Sequence, residues 1–110
     1  MTEFDDGFHR KERAEEANWR LKQEKAFEIA AKRDKLFGLW AAGQLGLAET
    51  AGYVRCLMDV GVAQGDRAML DKVAADFAAA GLAAEDGALT VRLNDCERQA
   101  QALVGTAMRP

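Results

Sequence analysis

Proline is almost missing from this 110-residue chain: the single one, Pro110, is the last residue, so no ring clash interrupts the interior backbone. Isoleucine occurs once, at Ile29, and no sustained alternation of apolar and polar residues marks a strand. With alanine abundant and β-branched residues scarce, the composition predicts an all-α fold. Histidine also occurs once, as His9, and the two cysteines, Cys56 and Cys96, have no Cys-x-x-Cys spacing. A usual zinc quartet is therefore excluded, and in a reducing compartment both thiols are expected to pack as small apolar groups on helices, although a disulfide between them stays open.

Long uncharged apolar runs are absent and mean hydropathy is -0.26, which excludes a membrane-spanning helix. The opening, Met1-Thr2-Glu3-Phe4-Asp5-Asp6, is acidic and lacks the apolar stretch of a secretory leader, so the expected location is the cytoplasm. Fifteen Lys and Arg stand against 18 Asp and Glu, a net charge of -3, which argues against binding nucleic acid through net charge. A mass of 12.0 kDa suits one compact unit, and 49% hydrophobic residues suffice for a core.

The charge that is present is crowded toward one end. Residues 1–35 hold nine basic and nine acidic side chains, including Glu16→Arg20 and Glu28→Lys32 pairs, each worth ~0.3 kcal/mol on a helix surface. From Trp19 onward, Ala26, Ala30 and Phe37 recur at helical intervals beside Ile29, Leu36 and Trp40, with Arg33 inside the stripe. Apolar density builds only near Leu36-Phe37-Gly38-Leu39-Trp40-Ala41-Ala42, so the second half of this long helix is expected to dock into a core. The first half should project or fray. Phe4, Phe8 and Trp19 lie in a segment too polar to build its own core; they suit a segment that orders on a partner, and equally a frayed end with incidental aromatics.

Gly43 and Gly46 are expected to stop that helix. A second helix is read over 48–60 with Tyr53, Val54, Leu57 and Met58 inward and Gly61 as its end. Asp66 is read as the N-cap of a third helix carrying Met69, Leu70, Val73, Phe77 and Ala80 and ending at Gly81. After a break at 85–87, Leu89, Leu93, Cys96, Ala100 and Leu103 mark a fourth helix ending near Gly105. Short loops favour antiparallel neighbours, and the sum is a small four-helix bundle with a long, partly mobile N-terminal helix.

Chemistry is hard to place on this frame. No glycine-rich phosphate loop and no defensible Ser/His/Asp or Cys/His set exists, and Asp71 and Asp76 are expected on solvated helical faces. No catalytic residue, metal site or cofactor is expected. Lys32 and Arg33 near Trp40 could form an anion or nucleotide patch, but Glu28 and Asp34 offset their charge and a solvated face is the plainer reading. His9 could make a partner contact pH-dependent, or stand as a solvated bystander.

The segment Arg33-Asp34-Lys35-Leu36-Phe37-Gly38-Leu39-Trp40-Ala41-Ala42, followed by Gly46-Leu47 and by Lys72-Val73-Ala74-Ala75-Asp76-Phe77, resembles the alphaproteobacterial zeta subunit, a small inhibitor of ATP synthase. The resemblance covers nearly the whole chain. It implies a protein that does not catalyse but inhibits ATP hydrolysis by the F1 sector, whose leading segment becomes helical at a catalytic α/β interface and blocks rotation of γ. Residues 1–20 would then be the mobile inhibitory segment and residues 21–110 the bundle. The partner-binding residues it implies are Phe4, Asp5, Asp6, Phe8, Arg10, Glu12, Arg13, Glu16 and Trp19, with the α, β and γ subunits as partners on membrane-bound ATP synthase. The family opening Phe-Asp-Asp-Arg-Glu-Arg-Ala differs here: Gly7-Phe8-His9-Arg10-Lys11 replaces the single arginine between Phe4-Asp5-Asp6 and Glu12-Arg13-Ala14. The alternative is a divergent helical module that binds a nucleotide, an anion or another protein without strong inhibition of F1.

Overall fold

The computed structural model describes residues 2–85 and 87–107, with side chains described from residue 14 to residue 105. Among the described residues four helices follow one another: α1 Thr2–Gln44, α2 Thr50–Gln64, α3 Asp66–Ala79 and α4 Ala88–Ala107. The all-α expectation holds. α1 is the spine, packing against both α2 and α4, while α3 lies on α2 and touches α4. The molecule measures 72 × 29 × 24 Å, long in one direction because α1 outruns the others.

The core forms where α1 carries its apolar stripe. Phe37 and Ala41 from α1, Leu57 from α2, Met69, Val73 and Phe77 from α3, and Leu89, Leu93 and Cys96 from α4 make one buried cluster. Leu36, Trp40, Leu45, Tyr53, Val60 and Leu70 pack around it half-buried. Gly38 lets α2 approach closely, since a Cβ there would stand 3.3 Å from the Val54 backbone.

Glycines close two helices in the same way. Gly46, at φ +69, turns the chain after α1 while the Leu47 N–H donates to Ala42 and the Gly46 N–H to Gly43, the paired bonds of a Schellman ending. Gly81, at φ +76, repeats it after α3, with Leu82 donating to Phe77 and Gly81 to Ala78.

Several boundaries differ from the sequence expectations, each for a physical reason. α2 begins at Thr50 and runs past Gly61 to Gln64; Gly61 does not end the helix but makes room inside it, because a Cβ there would lie 2.8 Å from the Met69 sulfur. The turn falls at Gly65, φ +92, which alone joins α2 to α3. Asp66 is consequently the first helical residue and not the cap, and its carboxylate is used elsewhere. In α4 the stripe continues from Ala100 to Val104, buried at 6% exposure, while Leu103 is 49% exposed. Cys96 is buried as expected, but Cys56 faces outward on α2, because the inward positions of that turn belong to Val54 and Leu57.

Candidate functional site

Two regions stand out: the place where α1 leaves the body, and the stretch of α1 beyond it. Moving toward the N-terminus, the last buried residue of α1 is Asp34, residues 29–31 are half-buried, and residues 14–28 are all exposed. From Asp34 to Thr2 the helix continues for ~48 Å at about 1.5 Å per residue. Trp19, Leu21 and Phe27 are 64%, 52% and 74% exposed, so this arm presents large apolar groups that the body does not use. That departs from the ordinary surface helix, which turns its apolar side to its own core.

At the root of the arm, one arginine gathers three carboxylates. Arg33 Nε donates to Asp34 Oδ1 at 2.8 Å, and its outer nitrogens donate to both oxygens of Asp66 at 2.9 and 3.2 Å. Glu97 of α4 stands 3.6 Å from the same guanidinium. The planar fork of arginine suits such a two-point grip. Burial raises the Asp34 pKa; Arg33 pulls it back down, and the charges of Asp66 and Glu97 push it up again. Burial works against the Arg33 charge, but Asp34 and Asp66 outweigh it and raise its pKa. The cluster thus ties α1, α3 and α4 together at the base of the arm.

A second polar contact braces α2 against α3. Tyr53 donates to Asp76 at 2.9 Å, Lys72 donates to the same carboxylate oxygen at 3.1 Å, and the Lys72 ammonium sits 5.3 Å from the centre of the Tyr53 ring. Burial and the Asp76 carboxylate raise the Tyr53 pKa, which keeps the phenol protonated as donor. Asp76 is therefore a structural acceptor and not part of a solvated face, whereas Asp71 is exposed and pairs with Arg67.

Trp40 stacks on Phe37 with ring centres 5.9 Å apart, leans on Phe77 at 5.6 Å, and carries the Arg92 guanidinium 4.8 Å above its centre. Of the three residues read as an anion patch, Trp40 is thus occupied by Arg92, Arg33 by Asp34, Asp66 and Glu97, and only Lys32 is exposed. Lys32 instead rims an apolar hollow floored by Ala31, Met58 and Val104. Among the partner-binding residues, Glu16 and Trp19 lie exposed on the arm, while the side chains of Phe4, Asp5, Asp6, Phe8, Arg10, Glu12 and Arg13, like that of His9, lie outside the described ones. Sequence reading missed the convergence of Asp66 and Glu97 on Arg33. The available signal was the Arg33-Asp34 pair set inside an apolar stripe, which a helix can bury only if further charges meet it.

A family model for the ATPase inhibitor subunit zeta matches residues 1–103, covering the arm as well as the body. The chain belongs to the ATPase inhibitor subunit zeta family. Comparison with curated proteins and with solved structures returned no match. As a member of the zeta family the chain is a regulatory protein and not an enzyme, and its family implies interaction with ATP synthase. No helix among the described residues is long and apolar enough to cross a membrane.

Proposed function

We propose that this chain inhibits ATP hydrolysis by the F1 sector by inserting its arm, while the bundle holds the arm from outside. The observation that carries this reading is the run of exposed residues 14–28 on a helix whose continuation forms the core. A segment that keeps Trp19 and Phe27 in water in the free protein has apolar surface to bury on something else. The inhibitory segment is residues 1–20, and its contacts are Phe4, Asp5, Asp6, Phe8, Arg10, Glu12, Arg13, Glu16 and Trp19. It seats as a helix at a catalytic α/β interface and blocks γ in the hydrolytic direction. The working location is the cytoplasmic face of the membrane-bound synthase, held there by the synthase itself.

The charge pattern supports a helical mode of binding. Glu12, Glu16 and Arg20 fall one turn apart, so one helical line offers two acidic groups followed by a basic one to a partner, and Trp19 adds a large ring beside it. Ordering the arm against F1 costs backbone entropy of about 1–2 kcal/mol for each residue that is not already fixed, so the rigid root at Arg33 lowers the total by holding the last turns in place. Titrating the full chain into F1 and following ATP hydrolysis tests the proposal, with a variant lacking residues 1–18 alongside. Inhibition by the full chain and none by the shortened one is the expected result. Equal inhibition by both, or none by either, overturns it.

A further inference from the structure

The arm borders an open hollow of the body at Phe27 and Glu28 but leaves it unfilled in a single copy. Beside α1, two apolar hollows of about 590 and 430 Å³ run on from one another, sharing Lys35 and Met58 in their walls. Their floor includes Val54, Met58 and Val104, and their outer edges include Leu39 and Leu103, 42% and 49% exposed. On the same side of α1, charge is divided by sign along the helix: Glu24 and Glu28 precede Ala31, and Lys32 and Lys35 follow its turn. None of these four charged groups forms an ion pair among the described residues.

We propose that this groove receives α1 of a second copy of the chain, in antiparallel pairing about a twofold axis between Ile29 and Ala30. An isologous contact needs a surface that complements itself. Antiparallel pairing supplies it, because positions that sum to 59 then oppose one another. Glu24 meets Lys35 of the second copy and Lys35 meets its Glu24. Phe27, 74% exposed, falls beside Ala31 and Lys32 of the second copy, over the hollow floored by Met58 and Val104. Ala31 is small enough to let the helices approach. Parallel pairing would set Glu24 on Glu24 and Lys35 on Lys35, so charge alone selects the antiparallel arrangement. Arg20 would lie opposite Leu39, placing residues 16–28 of each arm along the body of the other copy. A paired chain therefore cannot offer that stretch to another protein, and pairing is a means of withholding it.

Sedimentation equilibrium on the full chain, from about 1 μM to about 1 mM, reads the pairing directly against the 12.0 kDa monomer. Glu24→Lys and Lys35→Glu, both at exposed positions, should each weaken the dimer at least about tenfold, while the double exchange restores it to within about threefold. Phe27→Ser should leave a monomer with unchanged helical circular dichroism. A single monomeric species across the whole range overturns the proposal. So does a dimer that is indifferent to the single charge reversals, or that the double exchange fails to rescue, since it would use another surface. Because the measurement involves no ATP synthase, its outcome is independent of whether the arm inhibits hydrolysis.

Discussion

Arg33 and Asp66 stand 33 positions apart in the chain, yet both outer nitrogens of the guanidinium grip both oxygens of the carboxylate, at 2.9 and 3.2 Å. Their contact joins the root of the arm to the first residue of α3. The two partners differ in exposure, 16% for the Arg33 side chain and 55% for that of Asp66, and the difference decides what each contributes.

Removing the arginine should be the costlier change. Arg33→Met would leave Asp34, at 7% exposure, as a buried charge without its guanidinium, a loss of about 3 kcal/mol. Asp66→Asn removes a largely solvated partner and should cost about 0.5–1 kcal/mol. Urea unfolding of the two variants side by side checks the order; equal midpoints would show that the cluster is solvated.

Asp34 also sets a pH dependence whose sign follows from its raised pKa. A carboxyl with a higher pKa in the folded than in the unfolded chain binds its proton more tightly when folded. Its contribution to stability is therefore fully present below the unfolded value of about 3.9 and lost as pH rises through the folded value. The stability of the natural chain minus that of Asp34→Asn should accordingly increase on acidification from neutral pH, even as other carboxylates lower both. Parallel denaturant titrations at a series of pH values give that difference, and a constant difference would mean that Asp34 is not shifted.

Two glycines within α2 make a matched pair. A Cβ at Gly52 would meet nothing within 4 Å, whereas one at Gly61 would lie 2.8 Å from the sulfur of Met69 and 3.3 Å from an Asp34 oxygen. Gly52→Ala should stabilise by about 0.5–1 kcal/mol through helix propensity alone. Gly61→Ala gains the same propensity but must displace Met69, which is fully buried, and overpacking of about 1–3 kcal/mol should make it a net loss. Thermal midpoints that move in opposite directions are the expected outcome.

These glycines also show what the sequence could and could not reveal. Leu89, Leu93, Cys96 and Ala100 were legible as one face because buried positions on a straight helix repeat every three or four residues. The same rule pointed to Leu103 as the next inward position, but Val104 continues the stripe equally well, and the packing of α4 on α1 buries Val104 and leaves Leu103 exposed. Gly61 read as a helix end because glycine favours turns, but whether a glycine breaks a helix or makes room within one depends on what stands opposite, here Met69 from another helix. Asp66 looked like a cap for a similar reason: its local pattern suits one, and the competing partner, Arg33, lies far away in the chain. The projecting arm was legible from charge density, because a stretch so polar can bury little. The three carboxylates on Arg33 were not, because convergence of α1, α3 and α4 is a tertiary fact that no spacing encodes.

Trp40 offers the most direct probe of the junction of α1 with α3 and α4. Its ring lies between Phe37 and Phe77 and under Arg92, so Trp40→Ala removes ring contacts with α1 and α3 as well as the seat of the α4 guanidinium, and should cost about 3 kcal/mol. Arg92→Ala removes only the cation above the ring and should cost about 0.5–1 kcal/mol. In a Trp19→Phe background, where Trp40 is the sole tryptophan, loss of Arg92 should change the emission of the folded state while leaving its helical content intact. If instead emission is unchanged and the unfolding midpoint does not move, the guanidinium is not held over the ring in solution.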